Sequence, residues 1–335
     1  MSARIPATVV TGFLGAGKTT LIRNLIRHAD GRRIAVIVNE FGDMGFDGEL
    51  LGDCGDPTCK PDEIVELTNG CICCTVADEF LPTMEMLLAR EPAPEHIIVE
   101  TSGLALPQPL VRAFTWPSVR HRVTVDSVVT VIDAPAVLAG TFAPEGSEKD
   151  QQVREHDDPV EELFEDQLRC ADLVVISKAD IVDTNALARV GAIAAAGARP
   201  ATSQIASTGE GLPSTVLLGI GAAAEDHMAG RESHHERAGH EDHDHDDFAS
   251  FVVGAPAYGS LEVLRSRVAD ALTLPGVLRI KGYARVVEKA APVVVQGVGR
   301  RLETYFDPSS GHDDGLVVIG LRSVDPERVT ARLAG

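Results

Sequence analysis

Residues Gly12–Thr19 read GFLGAGKT, the pattern G-x-x-x-x-G-K-[ST] of a phosphate-binding loop. Each fixed position has a physical reason. Gly12 and Gly17 let the backbone curl so that successive N–H groups face phosphate oxygens, and Gly15 and Ala16 keep the curl free of bulk. Lys18 brings a cation to the β- and γ-oxygens, the Thr19 hydroxyl suits Mg²⁺, and Thr20 continues into the helix. Before the loop, Pro6-Ala-Thr-Val-Val-Thr is short and β-branched; after it, Thr19-Thr-Leu-Ile-Arg-Asn-Leu-Ile places apolar residues at helical spacing. This strand–loop–helix context gives the motif its meaning, because a helix start offers unpaired N–H groups to an anion.

Working outward, short apolar runs recur at Arg33-Ile-Ala-Val-Ile-Val, His96-Ile-Ile-Val, Ser127-Val-Val-Thr-Val-Ile and Asp172-Leu-Val-Val-Ile. They suit strands covered on both faces, with helices expected at 79–90 and 159–169 between them. The fold class is α/β, with a mostly parallel sheet whose ligand chemistry lies at the carboxyl ends of the strands. Asn39, Glu40, Glu100, Asp133, Lys178 and Asp180 all follow such runs. The first domain is expected over 1–221. Residues 222–247 hold six histidines and nine acids with few apolar residues, and composition predicts a flexible linker there. A small α+β domain is expected over 248–335, with a helix at 261–272 and another at 325–333.

At 335 residues, 44% of them apolar, the chain can bury two cores. A net charge of −20, from 50 acidic and 30 basic residues, argues against a nucleic-acid partner. No long uncharged apolar run or cationic leader is visible, so no membrane partner and a cytoplasmic location are expected. Cys170 stands apart from the other five cysteines, before an apolar strand, and reads as a small core residue.

The residues also point to a base. In Ser177-Lys178-Ala179-Asp180 one carboxylate can accept from both N1–H and the exocyclic amine of guanine, whereas the adenine edge repels it. Lys178 can lay its stem over the ring, and Ser177 stands where such motifs usually have asparagine. GTP is therefore the expected nucleotide. Glu100, followed by Thr101-Ser102-Gly103, is the expected Mg²⁺-side ligand or water orienter, with Gly103 sensing the nucleotide state and Asp133 and Glu40 as runners-up.

Glu66-Leu-Thr-Asn-Gly-Cys-Ile-Cys-Cys-Thr crowds Cys71, Cys73 and Cys74 into four positions. Thiolates suit Zn²⁺, Co²⁺ or Cu⁺, and a lone C-x-C-C needs a further ligand, for which Glu40 is the outside candidate. A structural zinc knuckle completed by Cys54 and Cys59, or redox thiol chemistry, are the alternatives. His234, His235, His240, His243 and His245 read as a weaker, secondary metal collector on the linker.

Taken together, GFLGAGKTT, NEFGD from Asn39, ELTNGCICCT from Glu66, ETSGLALPQP from Glu100 and SKAD from Ser177 resemble the CobW-type metallochaperone GTPases, of the SIMIBI class of P-loop GTPases. The resemblance implies a P-loop GTPase domain followed by a small C-terminal α+β domain. It implies GTP hydrolysis with Mg²⁺, and a transported metal bound near Cys71, Cys73 and Glu40 in the GTP state and released on hydrolysis. For the cargo it implies Co²⁺ for cobalamin biosynthesis, handed to a cobaltochelatase or another cobalt-accepting protein. Zn²⁺ is the alternative, as is a regulatory GTP-binding switch with a structural zinc site.

Overall fold

The computed structural model describes residues 4–29, 31–39, 64–67, 80–140, 159–209, 211–238, 248–299, 301–307 and 314–334. These form two compact units, each built around one sheet.

The first sheet has seven strands in the order β3-β2-β4-β1-β5-β6-β7. They are β1 (Ile5–Thr11), β2 (Ile34–Asn39), β3 (Ile64–Leu67), β4 (His96–Glu100), β5 (Val123–Asp133), β6 (Leu173–Ser177) and β7 (Ser203–Ala206). Every pairing is parallel. The expected apolar runs are all strands, because residues such as Val9, Ile37, Val99, Val128 and Val175 are fully buried between layers. One layer is led by α1 (Lys18–Arg27), whose Leu21, Ile22 and Leu25 pack with Val10, Val36, Ile98 and Val131. On another, the helix Leu81–Leu88 contributes Met84 and Leu87 to a core with Phe80 and Phe114, whose rings meet edge to face at 5.2 Å.

The second sheet has five antiparallel strands in the order β11-β10-β9-β12-β8: β8 (Phe248–Val253), β9 (Val277–Ala284), β10 (Val293–Val298), β11 (Arg301–Phe306) and β12 (Gly315–Leu321). Helices Leu261–Leu272 and Pro326–Ala334 cover it through Leu264, Val268, Val329 and Leu333, which pack on Ile280, Val293, Val295 and Val318. This is the expected smaller α+β arrangement. Among the described residues, no helix is long and apolar enough to cross a membrane.

The expectation of a flexible linker from residue 222 fails over 222–238, which pack against the parallel-sheet unit. Ala224 lies in its core, and Glu225 accepts hydrogen bonds from Thr124 Oγ1 at 2.7 Å and Val125 N at 2.9 Å. Arg231 is only 2% exposed and its Nη2 donates to Asp172 Oδ1 at 2.5 Å, while Arg199 Nη2 donates to the same oxygen at 2.8 Å. Composition predicts disorder because it counts apolar area; here fixed carboxylates and carbonyls supply partners that composition does not register. Cys170 is buried in the same region, and burial pushes its thiol up to about 12, consistent with an inert core residue.

Candidate functional site

The phosphate loop leaves β1 and enters α1 through three glycines with positive φ: Gly12 at 135°, Gly15 at 69° and Gly17 at 100°. Gly12 is the most constrained, since a Cβ there would lie 2.1 Å from the carbonyl oxygen of Val131 on β5. Lys18 is buried, with Nζ donating to Gly12 O at 2.8 Å and Phe13 O at 3.3 Å, so its ammonium sits inside the curl where phosphate oxygens would be neutralised.

Two neighbours flank this loop from opposite sides of β1. On the β4 side, Glu100 ends its strand nearly buried, and Thr19 Oγ1 donates to Glu100 Oε1 at 2.9 Å. Thr101 Oγ1 donates to Thr11 Oγ1 at 2.9 Å, and Thr101 N to Val10 O at 2.9 Å, which fixes the chain beside β1. Gly103 then passes directly under the phosphate loop: a Cβ on it would lie 2.5 Å from Leu14 Cδ2 and 2.8 Å from Leu14 N. A hydroxyl and a carboxylate at hydrogen-bond distance beside a helix N-terminus are a hard oxygen donor set, which fits Mg²⁺.

On the other side, the end of β6 and the turn after it carry the expected base-reading residues Ser177, Lys178 and Asp180, between β5 and β7 in the sheet. Ser177 Oγ donates to Ala16 O at 2.6 Å and Ile132 O at 3.1 Å, tying the phosphate loop to the ends of β5 and β6. Lys178, in the left-handed region at φ 56°, donates through Nζ to Gly15 O at 3.0 Å and Asp133 Oδ2 at 2.6 Å. It borders a cavity of about 190 Å³ that is also lined by Gly17, Thr20, Asn24, Ser177 and the exposed Asp180. The far wall, Ser207, Thr208, Gly209 and Gly211, was not anticipated from sequence. It is held by Ala179 N donating to Ser207 O at 3.1 Å, and the Ser-Thr-Gly run after β7 is the signal that could have found it.

Asp133, the runner-up to Glu100, serves elsewhere. One oxygen accepts from Ala136 N at 2.9 Å as a helix cap and the other pairs with Lys178, on the side of β1 away from Glu100. Glu40, Cys54, Cys59, Cys71, Cys73, Cys74, His240, His243 and His245, and the side chain of His235, lie outside the described residues. His234 is described: Nδ1 lies 2.8 Å from Asp166 Oδ1 and Nε2 3.1 Å from Glu165 Oε2, so the expected mobile collector residue is instead fixed to the helix Pro159–Cys170. Among the described residues, no group of three or more His, Cys, Asp or Glu is arranged to hold a metal ion.

The CobW/HypB/UreG nucleotide-binding domain matches residues 6–203, and the cobalamin synthesis protein cobW C-terminal domain matches 248–335. This chain belongs to the CobW/HypB/UreG family. Over 98% of its length it is 49% identical to the zinc chaperone CobW of a Sinorhizobium species, covering 96% of that protein. To the zinc chaperone CobW of Pseudomonas aeruginosa it is 50% identical, over 95% of this chain and 88% of that one. Similarity to the zinc chaperone YjiA of Escherichia coli is 38% identity over 39% of this chain and 41% of that one. As a CobW-type metallochaperone the chain is a GTP-hydrolysing P-loop enzyme that uses Mg²⁺.

Proposed function

We propose that the chain delivers Zn²⁺, binding it in the GTP state and releasing it on hydrolysis. The observation that carries the cargo is the likeness, along nearly the whole chain, to two relatives named zinc chaperones. The thiolates of Cys71, Cys73 and Cys74, with Glu40, are the proposed ligands, a set that suits a borderline-soft cation. Support for zinc is therefore stronger than for Co²⁺, and the proposed acceptor becomes a zinc-requiring protein in place of a cobaltochelatase. Competition between Zn²⁺ and Co²⁺ at buffered free metal, with GTP–Mg²⁺ and again with GDP, tests the reading. One tight Zn²⁺ equivalent with GTP and its loss with GDP is expected; equal occupancy in both nucleotides, or a preference for Co²⁺ at matched free metal, would defeat it.

In the proposed cycle the phosphate loop and Lys18 bind the triphosphate, and Glu100 and Thr19 hold Mg²⁺. When bound, Mg²⁺ supplies positive charge to the phosphate oxygens. Glu100 orients the attacking water, and Gly103 lets its loop approach the γ-phosphate because it carries no side chain to strike Leu14. Contacts between this loop and the γ-phosphate end when the phosphate leaves, and that loss opens the cargo site. Coupling is reciprocal, so Zn²⁺ must also tighten GTP.

Asp180 is the proposed reader of the guanine edge. Asp180→Asn should weaken GTP about 10- to 100-fold, the cost of a lost charged hydrogen-bond acceptor, and improve xanthosine triphosphate relative to GTP. Measured affinities for the two nucleotides decide it: an unchanged ratio removes Asp180 from the base site.

A further inference from the structure

Beyond Glu100, the loop Glu100–Leu106 is gripped from behind by a residue that phosphate chemistry does not call for. Gln167, on the helix Pro159–Cys170, is fully buried, and its Nε2 donates to Ala105 O at 3.2 Å and Gly103 O at 3.4 Å. Because both neighbours are carbonyls, the amide must present its nitrogen to them. Its Oε1 finds no hydrogen-bond partner among the described residues. A buried acceptor left unpaired is destabilising, so an apolar side chain of similar length would serve packing better. What the amide supplies that such a side chain could not is the pair of donors to the loop.

The same helix is clamped by a second amide of the same kind. Gln108 is fully buried, donates through Nε2 to Asp166 O and Arg231 O, both at 3.0 Å, and likewise has an unpartnered Oε1 among the described residues. We propose that Gln167 is a positioning residue for GTP hydrolysis: its buried amide holds the Gly103 and Ala105 carbonyls and so sets where the loop after Glu100 stands against the phosphate loop. Gly103 is pressed against Leu14 on one side and held by its carbonyl on the other, which leaves the loop two restraints, one of them on a helix that Gln108 locks to the Arg231 segment. Gln167 touches no reacting atom; it acts through Gly103 and, three residues before it, Glu100. The inference rests on the proposed γ-phosphate role of that loop.

Steady-state GTP hydrolysis by the full chain with Gln167→Met tests it, since methionine keeps the length and removes the amide. Losing two loop hydrogen bonds should lower kcat about 10-fold with the KM for GTP within about 2-fold of the parent. The melting temperature should fall modestly, because the Gly103 and Ala105 carbonyls lose their donor and loss of the unpaired Oε1 offsets only part of that cost. An unchanged kcat, or a fall in kcat accompanied by a KM raised in proportion, overturns the proposal. Should the variant not fold, hydrogen exchange of the unmodified chain decides: between GDP and a non-hydrolysable GTP analogue, protection over 101–106 and over 159–170 should change together, and a change confined to the loop overturns it. Glu100→Gln reports separately on the loop: undiminished turnover there defeats the loop's role itself, whereas lost turnover there with normal turnover in Gln167→Met defeats the positioning role alone.

Discussion

GTP turnover by a Lys18→Ala protein should fall by about 10²- to 10³-fold, the scale for removing one preorganised charge from a developing phosphate charge. The Lys18 ammonium is buried within hydrogen-bond distance of Gly12 O and Phe13 O, so it is already aimed into the loop and needs little reorganisation to meet an anion. The substitution should spare the fold, since α1 is anchored through Leu21, Ile22 and Leu25 and alanine favours a helix. The Zn²⁺ affinity gained on adding GTP should fall only as far as GTP binding itself falls, because the proposed coupling runs through bound γ-phosphate. A variant that binds GTP without hydrolysing it and gains no Zn²⁺ affinity would break the proposed link between the γ-phosphate and the cargo.

Cys73→Ser is expected to weaken GTP-dependent Zn²⁺ binding by at least about 100-fold. Removing even an outer partner of a metal ligand typically costs about 10- to 100-fold, and a serine hydroxyl is a poor replacement for a thiolate that bonds the ion directly. GTP–Mg²⁺ binding without Zn²⁺ should be nearly unchanged, because no cysteine takes part in the hydrogen bonds described at the phosphate loop or lines the cavity beside it. Calorimetry with buffered Zn²⁺, with and without GTP, reads both quantities. Parent-like zinc affinity would take this thiol out of the proposed ligand set.

What the sequence made legible was whatever is local. β1, β2, β4, β5 and β6 announce themselves as continuous apolar runs because both faces are covered. β7, Ser-Gln-Ile-Ala, was invisible: it is an edge strand with mostly exposed residues and needs no apolar signature. β9 and β11 carry Arg279, Lys281, Arg301 and Glu303 among apolar residues, so a search for apolar runs passes over them while a period of two would not. The same division holds at the site. The phosphate loop, Glu100 and Asp180 could be named from neighbours in sequence. The Ser177–Ala16, Lys178–Asp133 and Gln167–Gly103 contacts join residues 161, 45 and 64 positions apart, and single-sequence spacing has no access to such pairs. The packed stretch 222–238 was missed for a related reason, since Arg231 and Glu225 find their partners at Asp172 and Thr124.

Strand order gives the parallel sheet a division of labour. Across it run β3 and β2, which Cys71 and Glu40 follow in sequence, then β4 with Glu100, then β1 with the phosphate loop, and only beyond that β5, β6 and β7 with the cavity proposed for the base. The phosphate loop is thus a seam between two halves that share no strand. In evolutionary terms, the half proposed to read guanine can stay constant while connections on the half proposed to hold the cargo lengthen, shorten or exchange thiols for other ligands. On that reading a change of cargo requires no renegotiation of the fuel, and one nucleotide engine can be inherited by chains that carry different metals.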